Sequence, residues 1–165
     1  MVLAGLADRE ARQQRWLSSG SEMQNPLSGA IAHAPIHVQW VSGQIFEVGR
    51  SEGPKVRIDG DAKSAPSPFD ALLAAIATCA SVDVVAILEK QRTPVRALSV
   101  RVEANRLDST PRRLASAILS FVVSAPGTTL EKVTRAVELS VTKYCSVRSS
   151  LIADASIGWK VELKV

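Results

Sequence analysis

The chain has 165 residues, of which 46% are hydrophobic and 22% are charged, and its net charge is +4. This length predicts a single domain with a real core, and the composition excludes a disordered or fibrous chain. Aromatic residues make up only 4% and the basic residues are scattered, which argues against nucleic-acid binding. Two cysteines and the lack of a secretory leader favour the reducing cytoplasm over an extracellular disulfide scaffold.

The first 35 residues differ from the rest of the chain. They are polar, with a serine-rich stretch at 18–21 and prolines at 26 and 35, which predicts a flexible or loosely attached N-terminal extension (1–35) before a domain at 36–165. The domain opens with alternating apolar residues typical of a β-meander, with Ser42-Gly43 at a hairpin turn. The predicted strands cover residues 36–41, 44–48 and 55–59.

A long apolar helix follows. Ser67-Pro68-Phe69-Asp70 provides a capping residue, a proline at the first helical position and an acid three residues after the cap. The helix is predicted to run to about Gln91, and it is apolar almost all round, which favours burial in the core. Asp83 lies well inside the apolar run and no second span follows, so a membrane-spanning role is disfavoured.

The second half of the chain has the same mixture of elements. Residues 98–104 and 119–123 alternate as two strands, Thr128 and Glu131 predict the capping box of another helix, and residues 157–165 alternate as a last strand. In the second helix, a residue that faces the core recurs every four positions and ends at Cys145. The order predicts an α+β fold with mostly antiparallel pairing.

Few residues are candidates for chemistry. The sequence has no phosphate-binding glycine loop, no nucleophile-elbow serine and no CxxC or HExxH spacing. His33 and His37 flank Pro35, where a helix that would place them on one face is disfavoured, so no metal site is predicted. Cys79 and Cys145 remain. They are either two small buried hydrophobes or a pair whose sulfurs meet where two buried helices pack together.

Two motifs carry a resemblance to a known family. Residues 67–75 (SPFDALLAA) with Thr78-Cys79, and later Lys143-Tyr144-Cys145-Ser146-Val147, are similar to the two cysteine motifs of OsmC-like proteins and organic hydroperoxide reductases. The resemblance covers about residues 36–165. It implies the OsmC-like fold, with antiparallel sheets, two buried central helices and an intertwined homodimer whose active sites lie at the subunit interface.

The resemblance also implies a thiol peroxidase. Cys79 would be the peroxidatic residue, whose thiolate attacks the O–O bond of an organic hydroperoxide or hydrogen peroxide and becomes a sulfenic acid. Cys145 would be the resolving residue, which condenses with the sulfenic acid to form a disulfide. A dithiol of the lipoyl type or a small thiol would then reduce the disulfide, and the cycle would need no cofactor.

The sequence departs from the hydroperoxide reductases at the group that activates the thiolate. Those proteins use an arginine in an early loop that pairs with a glutamate ahead of the first cysteine. Ten residues before Cys79, where that glutamate would stand, this chain has Phe69, and the acid Asp70 that follows occupies the helix-capping place. No arginine occurs in residues 36–48. These departures place the chain nearer to the general OsmC-like branch.

The candidate activating cations are Arg50, Arg57 and Arg148, chosen by their order relative to the motifs. Asp83 lies one helical turn after Cys79 and is predicted to face the same pocket. A bare carboxylate there would raise the pKa of the thiol, so Asp83 is expected to bond to a cation or a backbone group of the partner chain.

Apolar residues around Cys79 predict a substrate pocket that suits organic peroxides, although core packing explains the same residues equally well. The predicted lining is Trp40, Phe46, Phe69, Leu72, Ile76 and Val82. Two other functions remain open. One is a redox-sensing or sulfur-handling protein that uses the same cysteine pair without peroxide as its physiological oxidant. The other is a non-enzymatic module that binds an apolar ligand and uses the cysteines only for packing.

Overall fold

A computed structural model describes residues 31–151 and 154–164 of the chain. Most of the predicted extension at 1–35 lies outside the described residues. The element order is three strands, a long helix, two strands, an interrupted helical segment and a last strand. The predicted α+β fold class is confirmed.

The first sheet is a three-stranded antiparallel meander of β1 (His37–Ser42), β2 (Ile45–Gly49) and β3 (Val56–Asp59), with β2 in the middle. The β1–β2 turn is Gly43-Gln44, one residue later than predicted, and Gly43 adopts a φ of 51°, which glycine tolerates without steric cost. All of β1 is exposed, so this sheet adds little to the core of its own chain.

Asp59 organises the loop that joins the first sheet to the long helix. Its carboxylate accepts hydrogen bonds from the backbone N–H groups of Asp61, Lys63 and Ser64, and from the hydroxyl of Ser64 at 2.8 Å. The backbone and hydroxyl donors of Ser64 are the largest cause of a pKa of about 2 for Asp59. A single buried carboxylate therefore holds the conformation of a loop that has no helix or strand of its own.

The long helix α1 (Pro68–Lys90) begins with the predicted capping box. The hydroxyl of Ser67 accepts a hydrogen bond from the backbone N–H of Asp70 at 3.1 Å, and the Asp70 carboxylate accepts one from the backbone N–H of Ser67 at 2.9 Å. One face of α1 lies in the core through Ile76, Ala77, Ala80, Val84 and Leu88. Within one chain the opposite face is exposed.

The length and composition of α1 would also permit a membrane span. Such a helix is equally typical of the centre of a globular domain, and α1 packs against the strand at 97–106 and the helical segment at 130–149, both described below. It also carries Asp83 well inside its apolar run. The packing and the internal carboxylate favour the central-helix interpretation.

The second sheet contains β4 (Ala97–Arg106), β5 (Leu114–Ser124) and β6 (Ser156–Lys164), with β5 in the middle. β4 and β5 form an antiparallel hairpin, whereas β5 and β6 are parallel. The pairing is therefore mostly antiparallel, as predicted, with one parallel pair. The parallel pair requires a crossover, which the helical segment between β5 and β6 provides.

That helical segment has three parts: α2 (Leu130–Leu139), a π-helical turn (Ser140–Tyr144) and the short α3 (Ser146–Ser149). The predicted capping residue, Thr128, is wrong by one position. Thr129 is the N-cap, and its hydroxyl accepts a hydrogen bond from the backbone N–H of Lys132 at 3.3 Å. The predicted apolar stripe is buried in full at Val133, Val137, Val141 and Cys145.

The core lies between α1, α2 and the inner face of the second sheet. Its largest fully buried side chains include Phe121 and Leu119 of β5, Ile76 and Leu88 of α1, and Val137 of α2. α2 also contacts β6, so the crossover helix covers the strand that follows it. This arrangement fixes the C-terminal end of the crossover against the middle of α1.

The hydrogen bonds of Asp59 predict an acid-sensitive fold. Because its pKa is about 2 in the folded protein and near 3.8 in the unfolded chain, the stabilisation by Asp59 is complete above about pH 4 and disappears as the pH falls towards 2. We expect Asp59→Asn to lower the urea midpoint at pH 5 and to change it much less at pH 2. A difference between the two proteins that is independent of pH over this range would contradict the assignment.

Candidate active site

The two cysteines lie where α1 meets the π turn and α3. Cys79 is half-buried on α1, and Cys145 is 2% exposed at the junction between the π turn and α3. Both are free thiols, and they lie close enough that each shifts the pKa of the other. The structure thus brings together two residues that are 66 positions apart in the sequence.

Cys145 is held in place by the helical segment around it. Its backbone N–H donates to the carbonyl of Ser140 at 2.9 Å, which is a bond of the π-helical kind. Its Sγ accepts a hydrogen bond from the backbone N–H of Arg148 at 3.3 Å and so caps α3. The same sulfur lies 3.8 Å from the carbonyl oxygen of Ile76 in α1, to which its thiol donates.

The surroundings of Cys79 favour its thiolate. Burial raises the pKa of Cys79, but the nearby backbone N–H of Val147, the Cys145 thiol, and the hydroxyl and backbone N–H of Ser146 together lower it by more. The net pKa of Cys79 is therefore below its ordinary value. These donors come from the first turn of α3 and from its cap, so the packing of α3 against α1 creates this environment.

The pKa of Cys145 shifts in the opposite direction. Burial is the largest cause that raises its pKa, and the nearby Cys79 sulfur, with the negative charge that it carries as a thiolate, raises it further. The hydrogen bond from Arg148 only partly offsets this rise. The pKa of Cys79 thus lies below the ordinary value of a cysteine thiol, and the pKa of Cys145 lies above it.

Ser146 belongs to the second cysteine motif, but the motif did not predict it as a site residue. Its Oγ lies 3.9 Å from the Sγ of Cys79. The hydroxyl can donate to a thiolate, although at this distance the hydrogen bond is long. Its position directly after Cys145, in the first turn of a helix that meets α1, could have signalled this contact.

Two of the three predicted activating cations lie on the first sheet or beside it. Arg57 on β3 forms an ion pair with Glu47 at 3.2 Å. Arg50 follows β2 and is exposed, and its carbonyl accepts a hydrogen bond from the Lys55 ammonium. In the described part of the chain, neither side chain hydrogen-bonds to a cysteine.

Arg148, the third predicted cation, lies one turn beyond Cys145. Its backbone N–H reaches the Cys145 sulfur, while its side-chain Nε is buried and has no hydrogen-bond partner among the described residues. Arg148 thus contributes to the site through its backbone. The structure gives its guanidinium group no bond to either thiol within residues 31–151 and 154–164.

The two predicted acids have different positions. Asp70 belongs to the capping box, where the hydroxyl and the backbone N–H of Ser67 hold the pKa of its carboxyl group below the ordinary value. Asp83 lines a cavity of about 400 Å³ with Lys90, Gln91 and Tyr144. Asp70 is therefore explained by helix capping, and the role predicted for Asp83 stays a prediction.

Within one chain, the residues of the predicted substrate pocket lie in four separate places. Trp40 and Phe46 pair across the first sheet, where Trp40 is 63% exposed. Val82, which is 65% exposed, lies on the outer face of α1. Ile76 is buried in the core next to Cys145. Phe69 and Leu72 alone line a common cavity, near the start of α1.

The histidines that were considered for metal binding have other partners. The ring Nε2 of His37 lies 2.7 Å from the hydroxyl of Ser51, and the ring Nδ1 of His33 lies 2.8 Å from the carbonyl of Ala34. Over residues 31–151 and 154–164, no group of three or more His, Cys, Asp or Glu side chains could hold a metal ion.

Comparison with known proteins decides the family. The family described as OsmC-like protein matches residues 60–160. The chain belongs to this family. It is 37% identical to Protein YhfA of Escherichia coli K12 over 127 residues, which cover 76% of this chain and 95% of YhfA. The predicted family resemblance is confirmed.

Solved structures support the same fold. An OsmC-like protein from Mycoplasma pneumoniae superposes with a TM-score of 0.70 at 15% identity, over 81% of this chain and 99% of that one. The organic hydroperoxide resistance protein OhrB of Bacillus subtilis superposes with a TM-score of 0.55 at 12% identity, over 81% of this chain and all of that one. At these identities the likeness establishes the fold alone.

The contact between Ser146 and Cys79 can be tested directly. Because Ser146→Ala removes one donor to the thiolate, we expect the pKa of Cys79 to rise and its alkylation by iodoacetamide at neutral pH to slow, by up to about tenfold. The measurement is thiolate absorbance and alkylation rate as a function of pH. Ser149→Ala, an exposed serine in the same short helix, is the control and is expected to change neither.

Proposed function

We propose that the chain is a thiol-dependent peroxidase for organic hydroperoxides, with Cys79 as the peroxidatic and Cys145 as the resolving cysteine. The observation that carries this proposal is the division of the pair. Cys79 is partly exposed and has a lowered pKa, whereas the neighbouring Cys145 is buried and has a raised pKa. A two-cysteine peroxidase needs one thiol that attacks the peroxide as a thiolate and a second thiol that reacts only after the sulfenic acid has formed.

In the proposed cycle, the Cys79 thiolate attacks one oxygen of the peroxide and the O–O bond breaks. Cys79 becomes a sulfenic acid, and the alkoxide that leaves takes a proton to give an alcohol. The Cys145 thiol then attacks the sulfenic sulfur, which forms the Cys79–Cys145 disulfide and releases water. A dithiol reduces this disulfide by exchange and is itself oxidised to a disulfide.

Family membership supports the proposal at a coarser level. The fold neighbours include proteins whose names refer to organic hydroperoxide resistance, and the chain shares their fold. The cycle uses thiol chemistry alone. Because it ends each turnover with two reduced cysteines, we also propose the reducing cytoplasm as its location.

The peroxidase proposal is tested with reduced protein, an organic hydroperoxide and a dithiol. We expect Cys79→Ser to abolish turnover, and Cys145→Ser to accumulate a sulfenic acid at Cys79 that a dimedone probe traps. Rates of peroxide loss and intact mass of the protein are the measurements. Rapid disulfide formation with negligible turnover would instead favour a redox sensor, and an inert parent that forms no disulfide would end the peroxidase proposal.

We propose further that the working form is a homodimer. Within one chain, α1 and β4 border an open cavity of about 490 Å³ whose walls include Leu73, Ala77 and Val100. The first sheet exposes apolar side chains at Val38, Trp40, Val41 and Val56. The open cavity between α1 and β4, called the α1 groove below, and the exposed face of the first sheet are both apolar. In the proposed dimer, the first sheet of one copy covers the α1 groove of the other.

If the chain is a dimer, a charge inserted into the interface should reduce the mass of the sedimenting species. Ala74 is exposed on α1 and lines the groove, so Ala74→Glu would place a charge in the interface. We expect the parent to sediment as a dimer and Ala74→Glu to sediment as a monomer. Ser99→Glu, at an exposed position of β4, is the control. A parent that is monomeric at micromolar concentrations would refute the proposal.

A further inference from the structure

A separate cavity lies at the start of α1, away from the groove described above. Its volume is about 270 Å³, and it lies between α1, the start of β5 and the residues Leu151 and Ala155. Its walls are mainly apolar. The lining residues are Phe69, Leu72, Arg112, Arg113, Leu114, Leu151 and Ala155.

Arginines surround this cavity. The guanidinium of Arg106 lies 4.3 Å from the centre of the Phe69 ring, and its Nε donates to the carbonyl of Arg112 at 2.8 Å. Arg113 forms an ion pair with Asp154 at 3.1 Å. The cavity thus combines an apolar interior with a rim on which positive charge predominates.

Among these three arginines, Arg112 has the side chain with the weakest contacts. Its guanidinium contacts Asp108 at 3.9 Å, near the limit for an ion pair, and the Asp108 side chain is fully exposed. Such a contact stabilises little and is easily exchanged for a better one. A guanidinium at the mouth of an apolar cavity matches the planar, bidentate geometry of a carboxylate.

We propose that this cavity binds a small amphiphilic carboxylate, with the hydrocarbon body among Phe69, Leu72 and Leu114 and the carboxylate on Arg112. Pockets for drug-sized ligands measure about 300 to 1,000 Å³. This cavity is slightly smaller, so it suits a ligand with a short hydrocarbon body. The apolar walls disfavour a free inorganic anion, which would lose its hydration there without compensation.

The cavity lies on the same side of α1 as the cysteine pair. Leu72 and Cys79 are seven residues apart, which is close to two helical turns and about 10 Å along the axis. A ligand in the cavity would therefore lie near the site without contacting its donors, which come from α3. Binding by this cavity does not require Cys79 to be a peroxidatic residue.

Octanoate and octanol form a matched pair of probes, because they differ only in the charged end. We expect calorimetric titration of the reduced full-length protein to show octanoate binding more tightly than octanol. Arg112→Gln should weaken octanoate binding by roughly tenfold or more and leave octanol binding nearly unchanged, since only the charge-assisted contact is lost. Arg112 is exposed, so the variant is expected to fold.

Two control variants make the result specific. Arg101→Gln removes an exposed arginine of β4 that is paired with Glu103, and it should leave octanoate affinity unchanged. Cys79→Ser should bind octanoate as the parent does. Equal losses in Arg112→Gln and Arg101→Gln would show a nonspecific charge effect and overturn the proposal, as would equal affinity for octanol or no binding of octanoate. Octanoate binding through Arg112 in a protein without peroxidase turnover would support this site and refute only the peroxidase proposal.

Discussion

The candidate site depends on one contact, in which Cys145 is buried against α1. Its sulfur caps α3 through the backbone N–H of Arg148, and its thiol donates to the carbonyl of Ile76. The contact therefore fixes both the start of α3 and the distance between two helices. The donors on Ser146 and Val147 reach Cys79 because α3 begins at this point. Cys145, the proposed resolving cysteine, thus also holds the elements of the site in position.

The same geometry explains how a thiolate can be favoured by neutral groups. In the described part of the chain, the groups that lower the pKa of Cys79 are backbone N–H groups, a hydroxyl and a thiol rather than an arginine or lysine side chain. Each such donor stabilises a negative charge less than a cation would, but several act together on one sulfur. The π turn contributes to this arrangement, because its C-cap, Cys145, has an extended backbone and serves at the same time as the N-cap of α3.

The described structure of one chain leaves two apolar surfaces exposed. The first sheet is exposed along β1, and the outer face of α1 carries the exposed residues Ala74, Thr78 and Val82. An isolated domain rarely leaves so much apolar surface to water. The homodimer proposed above would cover both surfaces.

The sequence by itself determined the element types and their order, because these follow from local patterns. The capping box at Ser67 and Asp70 defined the start of α1, and the four-residue spacing from Val133 to Cys145 put the second cysteine in the core. The two cysteine motifs gave the family. Local pattern was less exact at helix ends, since Thr128 and Thr129 offer the same capping chemistry one residue apart.

Only the tertiary structure decided which groups surround Cys79. The Ser146 hydroxyl, the two backbone N–H groups and the Cys145 thiol reach it across more than sixty residues of chain, and no periodicity encodes such a meeting. The parallel pairing of β6 and the separation of Trp40 from Phe69 have the same origin. Local sequence fixes backbone conformation and which face is apolar, whereas the partner of that face depends on how distant elements pack together.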